Sequence, residues 1–457
     1  MDRTLNKSPD LPRVFGRSAR RTLCLIGFAL AGAFLAAAAR IPFEYPSPSI
    51  LYKFGPERAL LRAGQVCGAL AGAMILLQGI LAARLRFLDR MAGLPRLVGL
   101  HRWIGIVTAG FAVAHPLLIL AGGDLANASF SATYWPEGVG LLLLLLVAGT
   151  VILAALRDRV GLPFHLWRIG HRLGTTFLVV LFALHVLAVG GSFSSGVPRL
   201  ALLSALVGCG LLWGWVRLRP LRMRRFPFRV TGLEKATRDT WTVTLERVKG
   251  RMPAFHPGQF AFFRFRSAFL SPEEHPFTIA SSPHESRVLQ LTIRESGDWT
   301  RHVGGIHIGD QALMDGPYGL FGPWAYGDVK KRVFIAGGVG ITPFLSLLRT
   351  EVREGEGGKT LLIWSNRSRE DAPCLDEVTR LARELIGFDF VPVFTREASA
   401  SERSGRVDLD FLKRRISDLD AGVVVFLCGP PGMMRSVREA LKVLGFSGRV
   451  VTEAFHL

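Results

Sequence analysis

Apolar residues crowd into the first half of this 457-residue chain in six runs, at roughly 22–39, 63–83, 103–121, 138–156, 173–190 and 200–216. Each is close to the length, about 20 residues, that a helix needs to cross a hydrocarbon core. The runs predict six membrane-spanning helices. From about residue 226 the pattern shortens to β-like runs such as 241–245 and 260–265, punctuated by the turn signals His256-Pro257-Gly258-Gln259 and Asp315-Gly316-Pro317-Tyr318-Gly319. That alternation predicts a small antiparallel β-barrel. From 332 it changes again, to buried strands at 333–336, 360–364 and 423–427 interleaved with helical runs such as 344–348, the signature of a parallel α/β domain. The expected fold class is therefore a multidomain membrane protein: an N-terminal segment 1–21, a six-helix transmembrane bundle over 22–217, an antiparallel barrel over 226–328 and an α/β nucleotide-binding domain over 329–457.

Composition agrees with a membrane protein. A mean hydropathy of +0.31 with 49% hydrophobic residues is too apolar for an ordinary soluble chain. The first run follows a basic stretch and ends in Ala36-Ala37-Ala38-Ala39, a small-residue pattern shared with cleaved leaders. Its length exceeds a usual leader core, so it reads as a retained first helix. The formal charge of +20 invites a nucleic-acid reading, but the distribution excludes it. Twenty Lys and Arg flank one side of the spans, in 3–21, 84–102, 157–172 and 217–225, against five on the other: Arg40, Lys53, Arg58, Arg62 and Arg199. This asymmetry places both termini in the cytoplasm of a cell whose plasma or inner membrane holds the chain in lipid. The cysteines Cys24, Cys67, Cys209, Cys374 and Cys428 form no CxxC pair, and three lie in apolar runs where a thiol acts as a small hydrophobe.

Candidate chemistry in the apolar half rests on histidine. His101 and His115 share one run, His171 and His185 another, each pair spaced H-x13-H. Fourteen residues turn a helix by about 1400°, within about 40° of four full turns, so the members of a pair face the same way about 21 Å apart. Two such helices side by side offer two stacked imidazole pairs, a way to hold two haems in series across a membrane. With the N-terminus inside, both helices run outward, so His101 pairs with His171 at the inner level and His115 with His185 at the outer. Arg102 and Arg172 follow the inner histidines as propionate partners or interface anchors, and His165 faces elsewhere as an interfacial residue. Bis-histidine iron has no open position, so it passes electrons onward.

In the polar half, the buried strand at 333–336 leads into Gly337-Gly338-Val339-Gly340-Ile341-Thr342-Pro343 and a helix. A glycine turn there lets backbone approach a pyrophosphate at a helix N-terminus, with Pro suited to the first helical turn. The strand at 423–427 ends in Cys428-Gly429-Pro430, a second tight turn at a strand's carboxyl end. His275-Pro276-Phe277-Thr278, Ser281-Ser282 and Gly297-Asp298-Trp299-Thr300 stand inside the barrel segment.

With these parts in this order, the chain resembles the transmembrane NADPH oxidase and ferric reductase superfamily, its polar half similar to the ferredoxin–NADP reductase module those proteins carry. The resemblance spans nearly the whole chain. It implies two haem b groups on His101, His115, His171 and His185, an FAD domain over 226–328 and NADPH, or NADH, over 329–457. It implies that Phe277 lies beside the isoalloxazine, that Thr278 bonds its reactive edge, and that His275, Pro276, Ser281, Ser282 and Thr300 complete the FAD contacts. Gly337, Gly338, Gly340, Thr342 and Pro343 match the nicotinamide phosphate turn, and Cys428, Gly429 and Pro430 the loop beside the nicotinamide. Arg367 matches the 2′-phosphate position. Glu453 and Phe455 resemble a Glu-x-aromatic ending whose ring shields the flavin, although His456 and Leu457 follow. Phe277, Thr278, Cys428, Glu453 and Phe455 are the expected catalytic group.

The activity this implies passes electrons from cytosolic NADPH through FAD, which accepts a hydride and releases single electrons, and through the haems to an external acceptor. The sequence-based expectation is dioxygen, giving superoxide, since loops 40–62, 122–137 and 190–199 show no metal-binding cluster. A ferric- or cupric-chelate reductase is the alternative, and an electron-transfer module for an extracytoplasmic redox protein a third. The absence of an EF-hand loop and of a docking segment points to an enzyme that needs no protein partner.

Overall fold

A computed structural model describes residues 11, 15–123, 135–189, 191–285, 287–327, 329, 331–355, 357–397, 405–416 and 422–453. The chain divides into two compact units, one made of Arg21–Leu88 and Arg96–Leu218, the other of Met1–Arg20, Asp89–Pro95 and Arg219–Leu457.

Among the described residues, six helices are long and apolar enough to cross a membrane, and the first unit holds nearly all of their length. They are α1 (Arg17–Glu44), α2 (Gly55–Ala82), α3 (Leu94–Gly122), α4 (Trp135–Val160), α5 (Phe164–Val189) and α6 (Gly196–Arg217). Leu143 and Val147 of α4 pack on Leu178 and Phe182 of α5 and Leu202 of α6, while Leu145, Phe177 and Leu211 face outward. Small residues permit the close crossings such a bundle needs: a Cβ on Gly72 of α2 would stand 2.6 Å from the Phe182 ring. Every helix begins ahead of its apolar run, and four of the six also extend past its end. Thus α3 and α5 begin nine residues ahead of their runs and take in His101 and His171.

The second unit holds two sheets. β1 (Pro227–Thr237), β2 (Thr240–Arg247), β3 (Phe260–Arg266), β4 (Glu274–Thr278), β5 (Val288–Arg294) and β6 (Gln311–Tyr318) form an antiparallel sheet in the order β4-β3-β6-β1-β2-β5. Its inward residues, among them Phe228, Val243, Phe263 and Leu289, make one core. The expected closed barrel is seen as a six-stranded sheet: no ladder joins β5 to β4 among the described residues, though Ala280 N–H donates to Gln290 O at 2.8 Å. Of the turn expected at Asp315–Gly319, Asp315–Tyr318 is instead the last part of β6 and Gly319 follows it. A bulge sets Phe260 opposite Tyr318 and Phe262 opposite Asp315, so the extra residue that Gly316-Pro317 brings is absorbed within the strand.

The second sheet is wholly parallel, from β7 (Lys331–Gly337), β8 (Lys359–Asn366), β9 (Phe388–Phe394), β10 (Val423–Cys428) and β11 (Arg449–Glu453), ordered β11-β10-β7-β8-β9. α7 (Thr342–Glu354) and α8 (Leu375–Glu384) cover one face through Phe344, Leu348 and Val378. α9 (Leu409–Arg415) and α10 (Pro431–Val443) cover the other through Phe411, Leu412 and Val437. The order reverses between β7 and β10, the switch point at which open α/β sheets bind ligands.

Candidate functional site

In the helical unit the four histidines meet as two pairs. The His101 and His171 ring centroids lie 6.2 Å apart at 79°, those of His115 and His185 6.4 Å apart at 76°. The surroundings of the two pairs differ. His115 Nδ1 is 2.8 Å from Gly64 O of α2, and His185 Nδ1 is 3.0 Å from Pro136 O of α4. Glycine four residues after each acceptor makes room for the ring: a Cβ on Gly68 would be 2.8 Å from His115 Nδ1, and one on Gly140 2.6 Å from His185 Cε1. His171 instead has a buried Nδ1 atom without a hydrogen-bond partner, and its ring stacks on Trp167 at 5.1 Å. Among the described residues no group of three or more His, Cys, Asp or Glu could hold a metal ion, so these imidazole pairs are the chemistry the unit offers.

In the antiparallel sheet, β4 carries His275, Pro276, Phe277 and Thr278. His275 stacks on Trp299 at 4.5 Å, and Phe277 lies 5.9 Å from the same indole. Trp299 is fixed by donating to Ser271 O. This aromatic cluster went unread in the sequence, where Trp299 stood only as part of Gly297-Asp298-Trp299-Thr300. Thr300 Oγ1 accepts from Ser296 N and Gly297 N at 3.0 and 2.8 Å, which shapes the loop before it. Ser281 and Ser282 are fully buried and tie this sheet to α7: Ser346 Oγ donates to Ser281 O, and Ser282 Oγ lies 3.1 Å from Thr350 Oγ1.

At the switch point, β7 and β10 deliver their turns side by side, with Ala336 paired to Cys428. Glycine is required here for two reasons. Gly338 has φ +54, and a Cβ on Gly340 would be 2.3 Å from Cys428 O. Thr342 and Pro343 open α7 as expected, Thr342 Oγ1 donating to Val339 O. Cys428 pairs with Glu453 across β10 and β11. Burial, with Glu453 beside it, pushes the Cys428 thiol well above its ordinary value, so it is a neutral group rather than a thiolate. Burial, aided by the charge of Asp89, pushes the Glu453 carboxyl up to about 8.

Asp89 was not foreseen. It lies between α2 and α3 in sequence yet belongs to the second unit, where it is 2% exposed and accepts from Leu94 N at 2.8 Å and Gly319 N at 3.1 Å. Burial holds its carboxyl at about 6, above the usual range, against those two N–H groups. Asn366, at the carboxyl end of β8, was also missed: it is buried, and neither its amide oxygen nor its nitrogen has a partner. Its neighbour Arg367 is exposed and forms no ion pair among the described residues. Phe455 lies outside the described residues.

Residues 67–182 match a family described as ferric reductase like transmembrane component, 225–321 an FAD-binding domain and 334–439 an oxidoreductase NAD-binding domain. The chain joins a ferric-reductase-like transmembrane domain to FAD- and NAD-binding reductase domains. It is 30% identical over 51% of its length to 63% of the reductase component of propane 2-monooxygenase from Rhodococcus jostii. It is 28% identical over 46% of its length to 62% of the electron transfer component of 2-halobenzoate 1,2-dioxygenase from Burkholderia cepacia. The chain thus spans about three fifths of the curated relatives it matches. A crystal structure of a cytochrome P450 reductase from Amycolatopsis covers 50% of this chain and 69% of its own, at 27% identity and a TM-score of 0.44. The chain is a transmembrane FAD- and NAD(P)H-dependent redox module.

Proposed function

We propose that this chain carries electrons from cytoplasmic NAD(P)H through FAD and two haem b groups to an extracytoplasmic ferric or cupric chelate. The observation that carries the reading is the pair of histidine separations. Metal–imidazole bonds of about 2.0–2.1 Å, with each ring centroid roughly 1.1 Å behind its nitrogen, put two trans rings about 6.3 Å apart. The values of 6.2 and 6.4 Å fit one iron between each pair. His101 and His171 would hold one haem and His115 and His185 the other, and the haems would supply one-electron transfer.

The residues of the second unit fit the other two groups. The glycines Gly337, Gly340 and Gly429 let the two turns pack against each other at the switch point, and α7 begins beside them, where its N-terminus would favour a dinucleotide phosphate. Arg367 suits a 2′-phosphate by its guanidinium fork. Phe277 and His275 offer flat faces to an isoalloxazine, with Thr278 beside them. FAD, when bound, converts the two electrons of a hydride into single electrons. Glu453, protonated below about 8, holds a proton at the carboxyl end of β11.

Dioxygen, the acceptor expected from the sequence, gives way to a chelate because the transmembrane match is to a ferric-reductase-like component. A redox protein outside the membrane is the second reading, favoured by electron transfer components among the relatives. The test is ferric-chelate reduction by purified protein with NADPH, under air and under argon, with and without superoxide dismutase. Rates unchanged by argon and dismutase are expected. Reduction that requires oxygen and disappears with dismutase would establish the oxidase instead.

A further inference from the structure

Asn366 ends β8, is 6% exposed, and carries an amide whose oxygen and nitrogen are both buried without a hydrogen-bond partner. Burial strips such a group of its water, a cost that a native fold normally offsets with an internal partner. The backbone around it is held firmly. Thr395 N–H donates to Asn366 O at 3.0 Å, and Arg396 N–H to Arg367 O at 2.9 Å. The strand end is thus fixed while its side-chain amide is left unmet.

Its place in the sheet indicates what meets it. Asn366 follows Ser365, which pairs with Gly337 at the start of the glycine turn. By strand alternation it shares a face with Leu362 and Trp364, the face on which α7 packs. Trp364 Nε1 donates to Gly338 O at 2.9 Å, so that face also touches the glycine turn. From the other edge the strand order is β9-β8-β7-β10-β11, with β7 leading into the turn. In doubly wound sheets of this order the end of the neighbouring strand lies by the adenosine ribose. A carboxylate there bonds the 2′-hydroxyl of NADH, and a nearby arginine accommodates the 2′-phosphate of NADPH. Here the position holds an amide, which both donates and accepts and carries no charge.

We propose, on the NAD(P)H reading above, that Asn366 is a specificity-determining residue that bonds the adenosine ribose and admits either NADH or NADPH. The amide oxygen accepts from a free hydroxyl, and the amide nitrogen donates to a hydroxyl or a phosphate oxygen. A carboxylate would meet the hydroxyl equally well but repel the phosphate. Arg367, next in the chain and exposed, adds charge for the phosphate. Asn366 supplies the contact common to both nucleotides.

The test measures the affinity of the full-length protein for adenosine 2′,5′-bisphosphate and for AMP by calorimetry, beside KM for NADPH and NADH in dye reduction. Asn366→Ala removes the shared contact and should weaken both probes alike, by roughly 2- to 10-fold, as one hydrogen bond contributes. Asn366→Asp should weaken the bisphosphate and NADPH by roughly 10-fold or more through repulsion, with AMP and NADH close to wild type. Asn366→Leu puts an apolar side chain of similar size where the amide is unmet. It should raise the thermal midpoint of the ligand-free protein and weaken both probes as alanine does. A leucine variant that binds both probes as wild type does, whatever its midpoint, overturns the inference, as does an aspartate variant that weakens both equally. Either result leaves the nucleotide site in place. Wild-type protein that binds neither probe overturns the NAD(P)H reading itself.

Discussion

The helical unit and the switch point of the parallel sheet build chemistry in opposite ways. In the first, the functional groups are side chains, two on each of two helices, placed by helix pitch so that each meets the ring opposite. In the second, the groups are largely backbone: two turns brought so close that a Cβ on Gly340 would overlap Cys428 O. A side-chain site fails when one residue loses its donor atom. A backbone site fails when one residue gains an atom. The two units should therefore answer opposite kinds of substitution.

The largest effect belongs to the helices. On the proposed haem reading, His115→Ala or His185→Ala would remove a ligand that nothing else among the described residues supplies. Haem absorbance per protein should fall to about one haem, from two bound at a bis-histidine pair each. Electron delivery to an external chelate should stop, while NADPH-driven reduction of a soluble dye continues. Two haems remaining in either variant would break the contrast at its root.

At the switch point the telling change is Gly340→Ala. Its extra carbon meets backbone on the neighbouring turn, and overpacking of this kind costs about 1–3 kcal/mol. KM for NADPH and NADH should rise together, with haem content unchanged. Gly432→Ala is the control, since a Cβ there would touch nothing within 4 Å. Equal effects from the two alanines would show that close approach of the turns does not matter.

This contrast also decided what could be read from the sequence. Helical arithmetic on H-x13-H anticipated which imidazoles meet, because helix pitch is fixed. It missed the Gly64 and Pro136 carbonyls, since a backbone acceptor on another helix has no letter of its own. Apolar length located the six spans yet ended them short: α1 runs from Arg17 to Glu44 against a run of 22–39, because helical hydrogen bonding continues past the hydrocarbon. The glycine turns were legible, as glycine marks backbone that must be approached. Asp89 was not, for its partners are the N–H groups of Leu94 and Gly319, the latter 230 residues away. The bonds of the Ser281 carbonyl to Ser346 and of the Ser282 hydroxyl to Thr350, which fasten sheet to helix, were not legible, because their partners lie more than sixty residues away.

Arg367 sharpens the comparison because it is a side-chain element placed beside a backbone site. Charge-assisted hydrogen bonds contribute about 1.5–3 kcal/mol, roughly 10- to 150-fold in affinity. Arg367→Ala should raise KM for NADPH within that range and leave KM for NADH nearly unchanged. A parallel loss for both nucleotides would mean that the residue acts on the turn as a whole.

The most gradual expected effect is a slope with pH. Glu453 and Asp89 are buried in the second unit with carboxyls raised to about 8 and about 6, from ordinary values of 4.5 and 3.8. An acid whose folded value is raised binds its proton more tightly in the folded state. Its contribution to stability is complete below the unfolded value and is lost as pH climbs through the folded one. For Asp89 that loss falls between about pH 4 and 6, and for Glu453 between about pH 4.5 and 8. The thermal midpoint of the purified chain should therefore decline from pH 5 to 8. Glu453→Gln keeps the shape without the titration and should flatten the upper part of that decline, leaving the part below about pH 6 to Asp89. His115→Ala should leave the slope untouched, because its loss lies in the other unit. A Glu453→Gln protein that declines as steeply as wild type would place the responsible proton elsewhere.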